Sequence, residues 1–301
     1  MHTVNGEVLL SDDDNTAGYK PVVDGVAVRR GAIPRDFSVQ PCPMQAVQFP
    51  LIPRTEWPER IRDKIAAKSQ LSDIRNRAAS GQPIKSYDQN GQGYCWAYST
   101  VACITLARAC ANQPHVRLSA HSVACVVKKF RDEGGWCGLS MEYVQAKGVV
   151  PESHWPAKSM SSANDTPANW EEAKKYVVAE GWVDLDAAVY DRNLTFDQVI
   201  TLLLANYPTV GDFNHWSHSV CLMDAVDGAQ QRQTTRGVDG KLLDLAAFER
   251  VWALNDPRTA GIGVRLWNSW TDAWSQNGTG LLTGNKAVPD GAVSIVTPVG
   301  D

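Results

Sequence analysis

The stretch from Asp88 to Thr100 constrains this 301-residue chain more than any other. It reads Asp88, Gln89, Asn90, Gly91, Gln92, Gly93, Tyr94, Cys95, Trp96, Ala97, Tyr98, Ser99, Thr100. A turn-prone, glycine-bearing segment ends at a cysteine, and apolar residues at helical spacing follow through Val101, Ile104 and Ala107 to about Cys110. Cys95 is therefore expected at a helix start, where the first backbone N–H groups lack intrahelical partners and the helix dipole is positive. That field favours a thiolate, the reactive form of cysteine. The glycines let backbone donors approach a reacting carbonyl, and the Gln89 amide supplies a second donor for a developing oxyanion. Taken by itself, a Cys-Trp pair reads equally as a small buried hydrophobe beside an indole.

The composition is that of an ordinary globular protein, with 44% hydrophobic and 21% charged residues. A net charge of −4 gives no general attraction to nucleic acid, and no run of about twenty apolar residues reads as a membrane span. Residues 1–14 lack the positive start and apolar centre of a secretory signal, so a cytoplasmic protein, or one packaged in a particle such as a virion, is expected. The seven cysteines, Cys42, Cys95, Cys103, Cys110, Cys125, Cys137 and Cys221, leave at least one thiol unpaired in a monomer.

Residues 1 to about 54 carry repeated prolines and little periodicity, which predicts an extended arm with a short strand around Val22 to Val28. A helix is expected from Thr55 to about Lys68, another after Leu118 and Ser119, and a third through Met141, Tyr143 and Val144 to Gly148. Thr166 with Pro167 marks a further start, and Tyr176 to Leu185 reads as a strand. Thr195 and Gln198 form a capping box ahead of the apolar stripe Phe196, Val199, Ile200, Leu203, Leu204. Beyond Pro208 short strands are expected at 210–213, 219–225, 251–254, 264–267 and 293–296, so the chain reads as α+β, helices before strands.

The first motif closely resembles the active-site signature of papain-like cysteine peptidases, in which a glutamine lies six positions before a cysteine followed by Trp, Ala, an aromatic residue and Ser. Gln89 and the run Cys95 to Ser99 reproduce it. Two more motifs follow in the family's order. His218 heads the apolar run Ser219 to Met223, as the family's histidine heads a buried strand, with His215 held in reserve. Asn268, Ser269 and Trp270, with Trp274 and the Asn277-Gly278 turn, resemble its Asn-Ser-Trp segment, although Thr271 and Ser275 stand where glycines are usual.

The resemblance spans about residues 73–298. It implies a two-lobe fold with an N-terminal extension over 1–70. The catalytic domain would span 71–301, with a helical lobe over about 88–185 and an antiparallel, barrel-like lobe over about 186–298. It implies Cys95 as nucleophile, Gln89 as oxyanion donor, His218 as proton shuttle and Asn268 as its orienting partner, with Trp96 and Trp270 in support. Gly135 and Gly138, in the segment 134–138, are candidates to bond a substrate backbone, or else form a turn between helices. Cys125 and Cys137 lie near family disulfide positions and are open to pairing. The inhibitory prosegment's family signature is not found, so the arm is expected to dock an assembly partner, mask the cleft or brace the fold.

A metal site at His215, His218 and Cys221 is disfavoured because strand positions three apart point to opposite faces. The chemistry implied needs no metal or cofactor. The expected substrate is a peptide or protein. A non-catalytic docking module, such as a phage-particle component, and an acyl transferase or deamidase on the same residues are the alternatives.

Overall fold

A helix that is apolar all round has to be buried on every side. The helix that begins at Cys95 has that character, and the rest of the chain packs around it. The computed structural model describes residues 1–36, 50–89, 91–177, 182–185 and 192–295, so that Asn90, Cys42 and the end of the expected strand at 296 lie outside the described residues.

Helix α1 (Trp57–Ala66) carries Pro58 in its first turn, and α2 (Leu71–Arg75) opens with a capping box between Gln70 and Asp73. The central helix α3 (Cys95–Cys110) buries nearly all of its residues. Around it lie α4 (Ala120–Val127) and α5 (Cys137–Lys147), the latter ended by Gly148 at φ 78°, where a Cβ would sit 2.0 Å from the Ala173 carbonyl oxygen. Next come α6 (Pro167–Ala173), with Thr166 Oγ1 accepting from the Asn169 amide, and α7 (Arg192–Leu204), after which Asn206 turns left-handed ahead of Pro208. The last is α8 (Leu245–Val251), capped by Asp244.

The strands are β1 (His2–Val4), β2 (Glu7–Leu10), β3 (Val22–Val23), β4 (Val26–Ala27), β5 (Trp182–Asp184), β6 (Thr209–Phe213), β7 (His218–Asp227), β8 (Thr235–Arg236), β9 (Ile262–Trp267), β10 (Thr279–Leu282) and β11 (Gly291–Ile295). Nine of them form one sheet in the order β5-β11-β6-β7-β9-β10-β2-β1-β8, antiparallel except for the β2–β10 pair. The fold is α+β as expected. Its β lobe is an open twisted sheet and not a closed barrel, because β5 and β8 remain at opposite edges.

The start of the chain is more structured than its prolines suggest. Asn5-Gly6 and Asp24-Gly25 both adopt positive φ, the requirement of a two-residue hairpin turn, and join β1 to β2 and β3 to β4. Val4 and Leu9 then bury against Val226, Phe248, Val251, Trp252 and Leu281 in a small core of their own. Two expectations fail locally. Residues 251–254 end a helix and its turn instead of forming a strand, because the Asp244 cap starts α8 upstream. Thr195 lies inside α7, which already begins at Arg192. Among the described residues no helix is long and apolar enough to cross a membrane.

Candidate active site

Cys95 is the first residue of α3 and is fully buried. The helix is fixed against the sheet one turn further on, where the hydroxyls of Ser99 and Ser219 lie 2.7 Å apart. Ser219 follows His218, so this contact holds the start of β7 beside Cys95. His218 heads that strand, paired with Phe213 of β6. Its Nε2 lies 2.8 Å from Asn268 Oδ1, an oxygen that also accepts the Ser269 amide at 2.8 Å. The acceptor character of Oδ1 assigns the ring proton to Nε2 and leaves Nδ1 as the basic nitrogen. Nδ1 has no hydrogen-bond partner among the described residues. Trp270 stacks on the imidazole at 4.5 Å between centroids and Trp216 meets it edge-on at 4.8 Å, so the His218–Asn268 bond is enclosed by indoles.

Gln89 is equally constrained. Its Oε1 accepts from Ser269 Oγ at 2.5 Å, and its Nε2 donates to the Gln92 carbonyl at 2.8 Å and to the Arg29 carbonyl at 2.9 Å. The second of these acceptors comes from the N-terminal segment. That segment continues through the site: the Gly31 amide donates to Cys95 Sγ at 3.3 Å, and the Ala32 amide to the Ser217 carbonyl at 3.2 Å. Gly135 donates to the Gly31 carbonyl at 2.9 Å and accepts from the Ile33 amide at 3.0 Å. Only glycine fits at 31, where a Cβ would stand 2.0 Å from the Gly93 carbonyl oxygen. Gly135 lies so close to the Trp96 ring that a Cβ there would be 2.7 Å from the indole.

Dry surroundings set the charge state. Burial pushes the Cys95 thiol up to about 12, although backbone amides of Ser219, Gly31 and Trp96 favour the thiolate. Burial likewise lowers His218 to about 3, against the opposing effect of the Asn268 bond. With the cleft covered, burial thus favours a neutral thiol at Cys95 and a neutral imidazole at His218 over the expected helix-start thiolate.

The structure thus brings Gln89, Cys95, His218, Asn268, Trp96, Trp270 and Gly135 into one place. Gly138 stays out of it, buried in the first turn of α5. His215 points elsewhere, with Nδ1 2.9 Å from Thr16 Oγ1 and Nε2 3.2 Å from the Lys286 carbonyl oxygen. The six cysteines among the described residues, Cys125 and Cys137 included, are free thiols. Two participants escaped the sequence reading. Ser269, adjacent to Asn268, was visible as a hydroxyl within the third motif, but its bond to Gln89 spans 180 positions. Residues 29–33 carried no local sign of what they lie against.

The sequence model of the papain family cysteine proteases matches residues 69–236, over half of the chain, and includes Cys95 and His218 while ending before Asn268. No curated protein matches by sequence. Among solved structures, xylellain, a cysteine protease from Xylella fastidiosa, aligns with a TM-score of 0.52 at 14% identity, covering 93% of this chain and 98% of that one. Procathepsin L 3 of the Tenebrio molitor larval midgut aligns at 0.48 and 15% identity, covering 73% and 67%. The first likeness is one of fold, and together with the sequence match it places the helix-borne cysteine and the strand-borne histidine in a known setting: the chain belongs to the papain family of cysteine proteases.

Proposed function

We propose that the chain hydrolyses peptide bonds through Cys95, His218 and Asn268, and that residues 29–33 hold it latent until they are displaced. In the open enzyme His218 Nδ1 takes the thiol proton and the Cys95 thiolate attacks the substrate carbonyl carbon. The oxyanion is met by Gln89 Nε2–H and the Cys95 backbone N–H in the positive field of α3. Collapse breaks the C–N bond, and the leaving amine takes the proton from His218. Water, deprotonated by His218, then attacks the thioester and releases the acid, restoring the thiol. Asn268 holds the imidazole in the required tautomer throughout, and no cofactor is needed.

One observation carries the reading: an extended peptide segment already lies in the cleft, with a carbonyl on Gln89 Nε2 and two backbone bonds to Gly135. A site that binds backbone this way, beside a thiol and an imidazole, has what peptide hydrolysis requires. The same segment supports latency, because its Gly31 amide sits on the sulfur.

The test uses the full chain. Gly31→Ala forces the segment off Gly93, at an overpacking cost of about 1–3 kcal/mol, so alkylation of Cys95 by iodoacetamide should rise about tenfold or more over wild type. That variant should cleave a peptide library, and the double variant with Cys95→Ala should not. Rapid alkylation of Cys95 with no cleavage of any peptide would refute the hydrolase reading.

A further inference from the structure

A buried histidine of the helical lobe takes no part in the chemistry above, yet it touches the loop that carries the oxyanion donor. His121, the second residue of α4, is 1% exposed. Its Nε2 is hydrogen-bonded to Gln92 Oε1, and its Nδ1 lies 3.0 Å from the Tyr98 hydroxyl. That hydroxyl also lies 3.1 Å from the Asp88 carbonyl oxygen. The imidazole therefore grips the residues on both sides of Gln89, Gln92 directly and Asp88 through Tyr98. Tyr94 and Tyr98 meet the ring edge-on, at 5.4 and 5.7 Å between centroids, and fix its plane. Burial, aided by Lys158, outweighs the Asp132 carboxylate and lowers His121 to about 4. Near pH 7 the ring is thus neutral and acts through its hydrogen bonds, not through charge.

The link from there to the reaction is short. Gln89 Nε2 carries two hydrogens. One goes to the Gln92 carbonyl at 2.8 Å, and the other to the Arg29 carbonyl at 2.9 Å, the place that an oxyanion would take in the open enzyme. The Gln92 carbonyl thus decides where the second hydrogen points. The Gln92 amide donates to the Gln89 carbonyl at 3.1 Å, which ties the two residues together again. Ser269 holds the other end of the carboxamide, Oε1, from the segment after β9. Gln92 itself is half-buried, and its side chain is anchored by His121. An oxyanion donor has to be in place before the charge develops, and a displacement of about 1 Å can cost about a hundredfold in rate.

We propose that His121 is a positioning residue for the oxyanion donor, holding Gln92 so that the Gln89 amide stays aimed at the reacting carbonyl. It touches no reacting atom and works through its neighbours on the loop. The inference rests on the peptidase reading above and adds to that site a residue from α4.

The test uses full-length Gly31→Ala protein, with the peptide that it cleaves fastest as substrate. Two amides tell the ring nitrogens apart, since the side chain of Gln reaches about as far as Nε2 and that of Asn only as far as Nδ1. His121→Asn and His121→Leu should lower kcat about tenfold with KM unchanged to within about twofold, the mark of an interaction made in the transition state. His121→Gln should stay within about threefold of the parent in kcat. In the Gly31→Ala, Gln89→Ala background, His121→Leu should cost less than about twofold in kcat, because the donor that it positions is gone. Where His121→Leu fails to fold by circular dichroism, Gln92→Ala cuts the same link from its half-buried side and should give the same two results. Equal losses with and without Gln89, a loss for Gln as large as for Leu, or a kcat that no substitution changes overturns the positioning role and leaves the peptidase intact. Alkylation of Cys95 without cleavage of any peptide refutes the peptidase reading itself and the positioning role with it.

Discussion

The N-terminal segment inserts into the body of the molecule at two places, and these are built differently. At the first, β1 and β2 join the main sheet, Glu7 accepts from Arg265 Nε at 2.9 Å and Nη2 at 3.0 Å, and Thr279 Oγ1 donates to the same carboxylate at 2.7 Å. Asp224 completes the cluster from the other side of Arg265, at 2.9 Å. Every charge there has a partner of opposite sign, and apolar side chains on β1 and β2 are buried beside it. At the second, the backbone of residues 29–33 bonds to Cys95, Gln89, Ser217 and Gly135, and any extended peptide could offer the same groups. Three side chains add to these bonds: Arg29 pairs with Asp132, Arg30 donates to the Trp216 carbonyl at 2.8 Å, and Arg35 pairs with Asp184. The difference teaches how one arm could serve as both scaffold and, on the reading proposed above, plug: one part shares a sheet and a core, and the other is held mainly by backbone bonds that another extended peptide could make.

The largest expected effect tests the scaffold. Glu7→Ala leaves Arg265 buried and half-paired, and should cost about 3–5 kcal/mol in urea unfolding. A stable variant that merely exposes Cys95 would erase the distinction between scaffold and plug. Next, in the Gly31→Ala background, Gln89→Ala removes an oxyanion donor and should cut kcat by about a hundredfold with unfolding unchanged to within about 1 kcal/mol. A fall in stability of the same size would make Gln89 a structural residue, tied through Ser269, instead of a catalytic one.

Acidity provides a third probe, and its sign follows from the charge states. Burial lowers His218 from 6.5 to about 3, so a form that readmits water to the ring takes up a proton at higher pH than the closed form does. Closure is thus weakened as pH falls below about 6.5. The thiol works in reverse: burial raises Cys95 from 9.0 to about 12, so a form that wets the sulfur gives up its proton first and closure is weakened as pH climbs above about 9. Alkylation of wild type relative to Gly31→Ala at the same pH should therefore be lowest near neutrality and rise at both ends. A flat ratio would mean that covering the cleft does not change either group.

The smallest effect concerns Thr271 and Ser275. Both have positive φ, 60° and 54°, at positions where the family usually has glycine. Both also hold the N-terminal segment, Thr271 Oγ1 donating to Asp24 at 3.1 Å and Ser275 Oγ accepting the Val8 amide at 2.7 Å. Thr271→Gly relieves backbone strain and loses a hydrogen bond, so stability should change by less than about 1 kcal/mol. Cys95 alkylation should rise about two- to fivefold as the β3–β4 hairpin loosens from the plug side.

Much of the site was legible because its chemistry is written in short contiguous runs. Gln89 to Ser99, His218 to Met223 and Asn268 to Trp270 each carry their own signal, and helix ends such as Thr166-Pro167 and Gly148 follow local rules. The hairpin turns at Asn5-Gly6 and Asp24-Gly25 follow local rules as well, but the extended arm was expected from the low periodicity and the prolines that begin at Pro21. A valine and a tryptophan near 251 suggested a strand, yet the Asp244 cap upstream decides the matter. Residues 29–35 were not legible at all. An Arg-Arg-Gly run says nothing about the carbonyl of Gly93 or the carboxylate of Asp184, since those contacts depend on how distant parts of the chain meet.

The parallel pairing of β2 with β10 has a kinetic consequence. Gly280 to Leu282 bond to Val8 to Leu10, so the sheet cannot be completed until almost the whole polypeptide has been synthesised. Pairings of such long sequence separation form late in folding. When they do form, residues 29–33 are tethered only some twenty positions from an anchored strand, at an effective concentration no outside peptide easily matches. Under the latency proposed above, the groove of a newly made molecule would therefore be filled by its own chain as it forms.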